Sequence, residues 1–390
     1  MTIDRRTMLA ASGALVGLGA LPASARTMID HRRSPAKVLD AIANDVLALE
    51  PEQATGLGVD NGVRAALKAG LHDVSPASDA RWASLGRRMV AELATVDLAR
   101  LSPADRLRHL AVRTTADRMV DATRFSYGGG ARAAFFGGAR PYTVTQQDGA
   151  LTSVPEFLDS QHIVATRADA DAYLARVAAF ARQLDGESAA ITAEAAHGVA
   201  PPSFVAATVL KQLRDFRATP AADQRLVASL AGKAAKAGID GDWAGRCTTL
   251  VEREVYPALD RQIAAFAKAT ANATAVGGVS RLPDGMAFYR HALRLGTTTE
   301  LSPAEIHRTG REQNRALQAR MDAILRAQGI TQGSVGARIT ALNRDPRFLF
   351  PDTAAGRAGI IAYCNARLAA VRLLLPKMSN LGLKADVVVK

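Results

Sequence analysis

The stretch from Gly285 to Arg326, GMAFYRHALRLGTTTELSPAEIHRTGREQNRALQARMDAILR, decides the fold class. Ser302 stands where an N-cap residue belongs. Pro303 takes the first helical position, where its missing N–H is harmless, and Glu305 three residues after the cap completes an S-x-x-E capping box. Beyond that start Leu317, Met321 and Ile324 recur at helical spacing, and Arg308, Arg311, Glu312, Arg315 and Arg320 supply a charged face. The segment therefore predicts a helix, a polar turn and an amphipathic helix.

The same opening device recurs along the chain. Ser34-Pro35-Ala36, Ser75-Pro76-Ala77, Ser102-Pro103-Ala104-Asp105 and Thr219-Pro220-Ala221 each set a hydroxyl before a proline that fits only a first helical turn. Apolar stripes three and four apart follow: Trp82, Leu85 and Met89; Tyr173, Val177, Phe180 and Leu184, with Ile191 two turns on; Val251, Val255, Leu259, Ile263 and Phe266, beside Leu250; Ile361, Cys364, Leu368 and Val371. Pro257 predicts a kink or break near Val255. Aromatics are 5% of the chain and β-branched runs are scarce, so the expected class is all-α, a multi-helix array of mostly antiparallel helices. Trp82, Phe180, Leu184, Leu259, Leu317 and Leu368 lie centrally on their stripes and are expected in the core. Helical patterning lapses in residues 127–150, where Tyr127-Gly128-Gly129-Gly130, Phe135-Phe136-Gly137-Gly138 and Pro141-Tyr142-Thr143-Val144-Thr145 predict an irregular or short-strand segment, either connector or site lining. Residues 385–390, ADVVVK, are a second β-apt run, with no turn and partner strand after it.

The N-terminus is set apart. Asp4-Arg5-Arg6-Thr7-Met8-Leu9, a weakly apolar stretch and Ala23-Ser24-Ala25 predict a twin-arginine-type signal peptide over residues 1–25, with a general-secretory signal or an apolar N-terminal helix as the alternatives. Residues 26–390 are then one helical domain of an exported protein, periplasmic or secreted, and no further segment approaches the ~20 uninterrupted apolar residues of a membrane span. The formal net charge of +12 falls to +11 without the leader, which takes Arg5, Arg6 and Asp4 with it. The arginines are scattered singly over helix faces with no stacking aromatics between them, so a solvated surface fits better than a nucleic-acid partner. Cys247 and Cys364 are too few for a disulfide framework, although export would permit one bridge, and read as small buried hydrophobes.

Few residues offer chemistry. None of the seven histidines forms an H-x-x-x-H pair, so two imidazoles on one helical face are absent. Glu194-Ala195-Ala196-His197 has the E-x-x-H spacing of di-iron bundles in a single copy, where two copies and two further glutamates are needed. There is no G-x-S-x-G elbow, and Gly56-Leu57-Gly58-Val59-Asp60-Asn61-Gly62 misses the dinucleotide spacing. No catalytic or metal-ligating residue is assigned.

Several motifs together resemble the bacterial domain of unknown function 885 family: Tyr289, Thr297-Thr298-Thr299 and Leu301-Ser302-Pro303-Ala304-Glu305-Ile306-His307, with Pro141-Tyr142-Thr143-Val144, Val154-Pro155-Glu156-Phe157-Leu158, Tyr173-Leu174-Ala175-Arg176 and Gly198-Val199-Ala200-Pro201-Pro202-Ser203-Phe204. That family looks like a branch of the zinc metallopeptidases. The resemblance implies an exported helical protein whose zinc is expected only in full-length members, through a His-Glu-x-x-Gly-His-His type segment that this sequence does not reach. It makes Tyr142, Tyr289 and His307 the candidate substrate-binding residues and peptides the implied partner. Two function classes follow: the helical scaffold of a zinc-peptidase-like protein, truncated before its metal segment and without activity of its own, or a non-catalytic periplasmic binding protein. The run at 385–390 resembles the start of a small sheet leading toward the zinc segment, and its open edge would favour self-association.

Overall fold

The computed structural model describes residues 35–379 and 386–389; the expected leader and His31 lie outside them. Among the described residues the chain is all-α, with fifteen α-helices and no strand. In chain order these are α1 (Pro35–Leu49), α2 (Pro51–Gly56), α3 (Pro76–Leu93), α4 (Pro103–Ala122), α5 (Gly130–Phe135), α6 (Ala150–Ser160), α7 (Arg167–Ala196), α8 (Ser203–Ala218), α9 (Arg225–Lys236), α10 (Trp243–Leu250), α11 (Tyr256–Ala269), α12 (Gly285–Thr297), α13 (Pro303–Ala327), α14 (Val335–Leu342) and α15 (Ala354–Arg372). The serine-proline openings start α3, α4 and α13 as predicted, and Ser302 and Glu305 form the reciprocal capping box. Thr219-Pro220-Ala221 opens only a 3-10 turn, Ala221–Asp223, before α9 begins at Arg225. The Thr219 hydroxyl donates back to Asp215 O (3.2 Å) instead of capping forward. Near Pro257 the α-helical run is interrupted as predicted: a π-turn, Val251–Val255, separates α10 from α11, and Pro257 falls in the first turn of α11.

The chain divides into two compact units, Met1–Glu300 and Leu301–Lys390. The first is organised on the 30-residue helix α7, whose start is fixed by a capping box between Thr166 and Asp169. Tyr173, Val177, Phe180 and Leu184 pack with Trp243, Cys247, Val251, Val255, Leu259 and Phe266 in one cluster. Each such side chain contributes about 1.5–3 kcal/mol by leaving water. A second cluster, with Trp82, Leu85, Met89, Leu93 and Met119, joins α3 and α4 to α1 through Ile42 and Val46. Trp82, Phe180, Leu184 and Leu259 are buried as predicted. On another side of α7 the fully buried Arg176 donates to Gly70 O (2.9 Å), His162 Nδ1 (2.7 Å) and Thr55 Oγ1 (2.6 Å), tying the segment around Gly62–Ala69 to the long helix.

Residues 127–150 contain α5 and turns, not a strand. Their β-branched residues spend their polar groups on side-chain bonds: Thr143 on Glu194, and Thr145 on its own turn, accepting from Gln147 N and Asp148 N (3.2 Å each). Gly128, at φ +87°, presses on Phe288, and a Cβ there would stand 2.5 Å from its ring.

In the second unit Arg338 is buried and bonded to Asp322 and to Ile330 O, which holds α14 to α13. Here two core expectations fail. Leu317 is 56% exposed, with Met321 and Ile324 exposed beside it, and Leu368 is only half-buried. The stripes are real helix faces, but no described element of this unit covers them. Ala354–Lys377 contains an 18-residue window of mean hydropathy 1.4 and is long and apolar enough by composition to cross a membrane, although Arg357, Arg367, Arg372 and Lys377 lie within the segment. The β-apt run also departs from expectation: Asp386–Val389 is not strand. The Asn365 amide accepts from Val389 N (2.8 Å) and donates to Val389 O (3.0 Å), taking the place of a partner strand, and Arg372 pairs with Asp386 (2.6 Å). Ala385 and Lys390 lie outside the described residues. Cys247 is buried, Cys364 half-buried, and both are free thiols.

Candidate functional site

Helix α7 carries a polar stripe as well as its apolar ones. Gln183, Glu187, Ala190 and Glu194 fall four, three and four residues apart, so they lie along one face. That face is one wall of a cleft of about 760 Å³ in the first unit; the first turns of α3, including Asp79, and the 123–153 segment form the rest.

Glu187 sits deepest. Its Oε1 accepts from Ala150 N (2.7 Å) and its Oε2 from Gln262 Nε2 (2.6 Å). The approach needs Gly149, whose φ is +119° and where a Cβ would stand 3.4 Å from Glu187 Oε1. Burial pushes the Glu187 carboxyl up to about 7, against the pull of its hydrogen bonds and of His72. Two turns on, Glu194 accepts from Thr143 Oγ1 (2.8 Å) and Thr143 N (3.2 Å). Burial lifts it too to about 7, and the nearby Asp79 carboxylate adds to the rise. Asp79 is exposed by area yet lines the cleft, where neighbouring atoms displace enough water to raise its carboxyl above the usual range, with Arg132 opposing. Its side chain has no hydrogen bond or ion pair among the described residues.

The cations around the cleft are already engaged. Arg132 binds Glu50 through both Nε and Nη2, Arg140 pairs with Asp148 (2.6 Å), and Arg81 with Asp73 (2.5 Å). His72 Nδ1–H donates to Glu52 Oε1 (2.8 Å) and its other ring nitrogen accepts from Gln183 Nε2 (3.1 Å), leaving Gln183 Oε1 buried without a partner. Glu50, Glu52 and His72 bring ligand-type atoms within 4.8 Å of one another. Arg132 and Gln183 already occupy that cluster, which makes it a closed ion-pair network.

Of the sequence candidates only Tyr142 lines the cleft, half-buried, its Oη accepting from Arg281 Nη2 (2.8 Å), with burial raising its pKa. Tyr289 lies on α12, 39% exposed and away from the cleft lining, and His307 is exposed on α13 in the second unit. His197 does not join Glu194: it ends α7 with Nδ1 on Ala193 O (2.8 Å), in solvent. His291 is buried against Phe125 and bonded to Asp121 (2.8 Å). Asp79, Gln183 and Glu187 were not singled out by motif. The available signal was the 183-187-190-194 spacing, three polar residues on one face of a helix that also carries the apolar stripe Tyr173, Val177, Phe180 and Leu184.

A family model described as Bacterial protein of unknown function (DUF885) matches residues 51–390. The chain belongs to this family. The crystal structure of a candidate lipoprotein from Colwellia psychrerythraea is similar in fold, with a TM-score of 0.79 at 22% identity, over 91% of this chain and 61% of that one. The chain thus spans less than two thirds of that protein's length. No curated protein matches.

Proposed function

We propose that this is an exported scaffold of a zinc-peptidase-like protein, and that the cleft along α7 is its ligand-binding site, receiving peptides. One observation carries the reading: the carboxyls of Glu187 and Glu194 are buried on one helix face, without a cationic partner, in the wall of a cleft of ligand size. Burying such groups is unfavourable unless they stay protonated or meet a positive ligand, which is how binding sites differ from ordinary core. The leader at residues 1–25 and the candidate-lipoprotein relative support export.

The cleft does not fit a zinc ion. Both oxygens of Glu187 and both of Glu194 accept N–H or O–H bonds, and the imidazole of His72 is held on both nitrogens. In this reading hydrolysis is not performed by these residues, and the uncovered stripes of α13 and α15 are where a metal-bearing segment, as the family resemblance implies, would pack. Stoichiometric zinc with chelator-sensitive peptidase activity in the purified 390-residue chain would contradict that division of labour. The cleft itself is tested by a thermal-shift screen of di- to tetrapeptides on the wild type and Ala190→Trp, which fills the wall between Glu187 and Glu194. Peptides that stabilise only the wild type support the site; peptides that stabilise both, or none at all, contradict it.

A further inference from the structure

Resting on the reading of the cleft as a binding site, we infer that it takes a primary ammonium group, seated between Asp79 and Glu194. The charge balance points there. The chain carries 49 Lys and Arg against 37 Asp and Glu, so an unpaired carboxyl runs against composition. Yet every cation lining this cleft is bound elsewhere, Arg132 to Glu50 and Arg140 to Asp148, while Asp79, Glu187 and Glu194 have none. The cleft thus holds carboxyls without an ion pair, Asp79 and Glu194 among them, while the cations in its lining are paired to other carboxylates.

The acceptors fit an ammonium group in number. It presents three N–H donors and no acceptor. Asp79 has both oxygens free. Each oxygen of Glu194 has accepted one bond and keeps a lone pair. Phe125, Tyr127 and Phe136 line the cleft for the hydrocarbon portion of the ligand. Calcium or magnesium is less well served, since each wants a shell of six or more oxygens.

Protons are part of the equilibrium. Near neutral pH the Glu194 carboxyl is partly protonated, and an ammonium ion must displace that proton; Asp79, Tyr142 with its Arg281, Arg132 and His72 face the same space. Because the competent, ionised form grows from a minor to a major fraction across the midpoint near 7, affinity should rise roughly tenfold between pH 6 and pH 8 for an amine that stays charged throughout.

Titration calorimetry on the full chain tests this with three probes: cadaverine, tri-alanine, and N-acetyl-tri-alanine. Binding of cadaverine or free tri-alanine, with proton release measured in two buffers of different ionisation enthalpy and at least tenfold weaker binding of the acetylated peptide, supports the inference. Which free amine binds tighter separates a side-chain or polyamine source from a peptide N-terminus. Asp79→Asn, at a side chain with no hydrogen bond or ion pair among the described residues, should weaken binding about tenfold. Equal binding of acetylated and free tri-alanine, abolished by Ala190→Trp, would overturn the ammonium inference and leave the cleft standing. Amine binding that survives Ala190→Trp would overturn the cleft reading and the inference together. No binding of any probe, or displacement of cadaverine by millimolar calcium or magnesium at one site, would overturn the ammonium inference.

Discussion

Glu187→Gln is the sharpest perturbation of the cleft wall. Glutamine keeps the shape, its carbonyl can still accept from Ala150 N, and its amide can donate to Gln262 Oε1, which is buried without a partner in the wild type. What changes is the proton. The wild-type carboxyl moves from its ordinary 4.5 to about 7 on folding, because burial penalises the charged form. At 1.36 kcal/mol per pH unit, that displacement is linked to about 3 kcal/mol of stability. The folded state holds the proton more tightly, so this stability is fully present below pH 4.5 and is lost as pH rises through about 7. The variant has no such proton to lose. Urea unfolding of both chains at pH 5 and pH 8.5, followed by fluorescence of Trp82 and Trp243, both in the core of the first unit, should show the wild type losing about 2–3 kcal/mol more than the variant on going to the higher pH. Equal losses in the two chains would mean that Glu187 ionises without penalty, and the argument from burial would be wrong.

Other expectations are simpler. Gly285→Ala places a Cβ 1.9 Å from Val279 O, so the start of α12 must shift; a loss of about 2 kcal/mol or more in urea unfolding is expected, and an unchanged midpoint would show that the 279–285 turn yields freely. Arg176→Met removes the donors held by Gly70 O, Thr55 Oγ1 and His162 Nδ1 and leaves those acceptors buried; it should destabilise by about 3 kcal/mol, read by the same assay. Burial pushes the Cys247 thiol up to about 12, so a thiol reagent at pH 8 should modify only Cys364 in the native chain, and both after denaturation.

The fold class was legible because helix openings are local chemistry. Ser302, Pro303 and Glu305 do in the structure what their spacing requires, and so does Ser102 with Asp105. Thr219 failed the same rule because its hydroxyl found a carbonyl behind it, a competition that sequence spacing does not display. Leu317 and Leu368 failed for another reason: periodicity identifies the apolar face of a helix but not whether anything covers it. The cleft was the least legible part. Its wall is made by Glu187 and Glu194, glutamates in an alanine-rich helix, where a solvated surface position is the ordinary expectation. Only the approach of Gly149, Ala150, Thr143 and Gln262 from distant segments turns them into buried carboxyls. Tyr142 reached the cleft through its motif, whereas Tyr289 and His307 share a motif without sharing a place.

The central claim is that Glu187 and Glu194 are carboxyls held back from ionising in a cleft built for a positive ligand. Carbon-detected NMR titration of the glutamate carboxyl signals, assigned by comparison with Glu187→Gln and Glu194→Gln, measures this directly. The account predicts two midpoints near 7, with that of Glu194 falling when cadaverine or tri-alanine is added. Midpoints near 4.5 for both, unmoved by either amine, would contradict it.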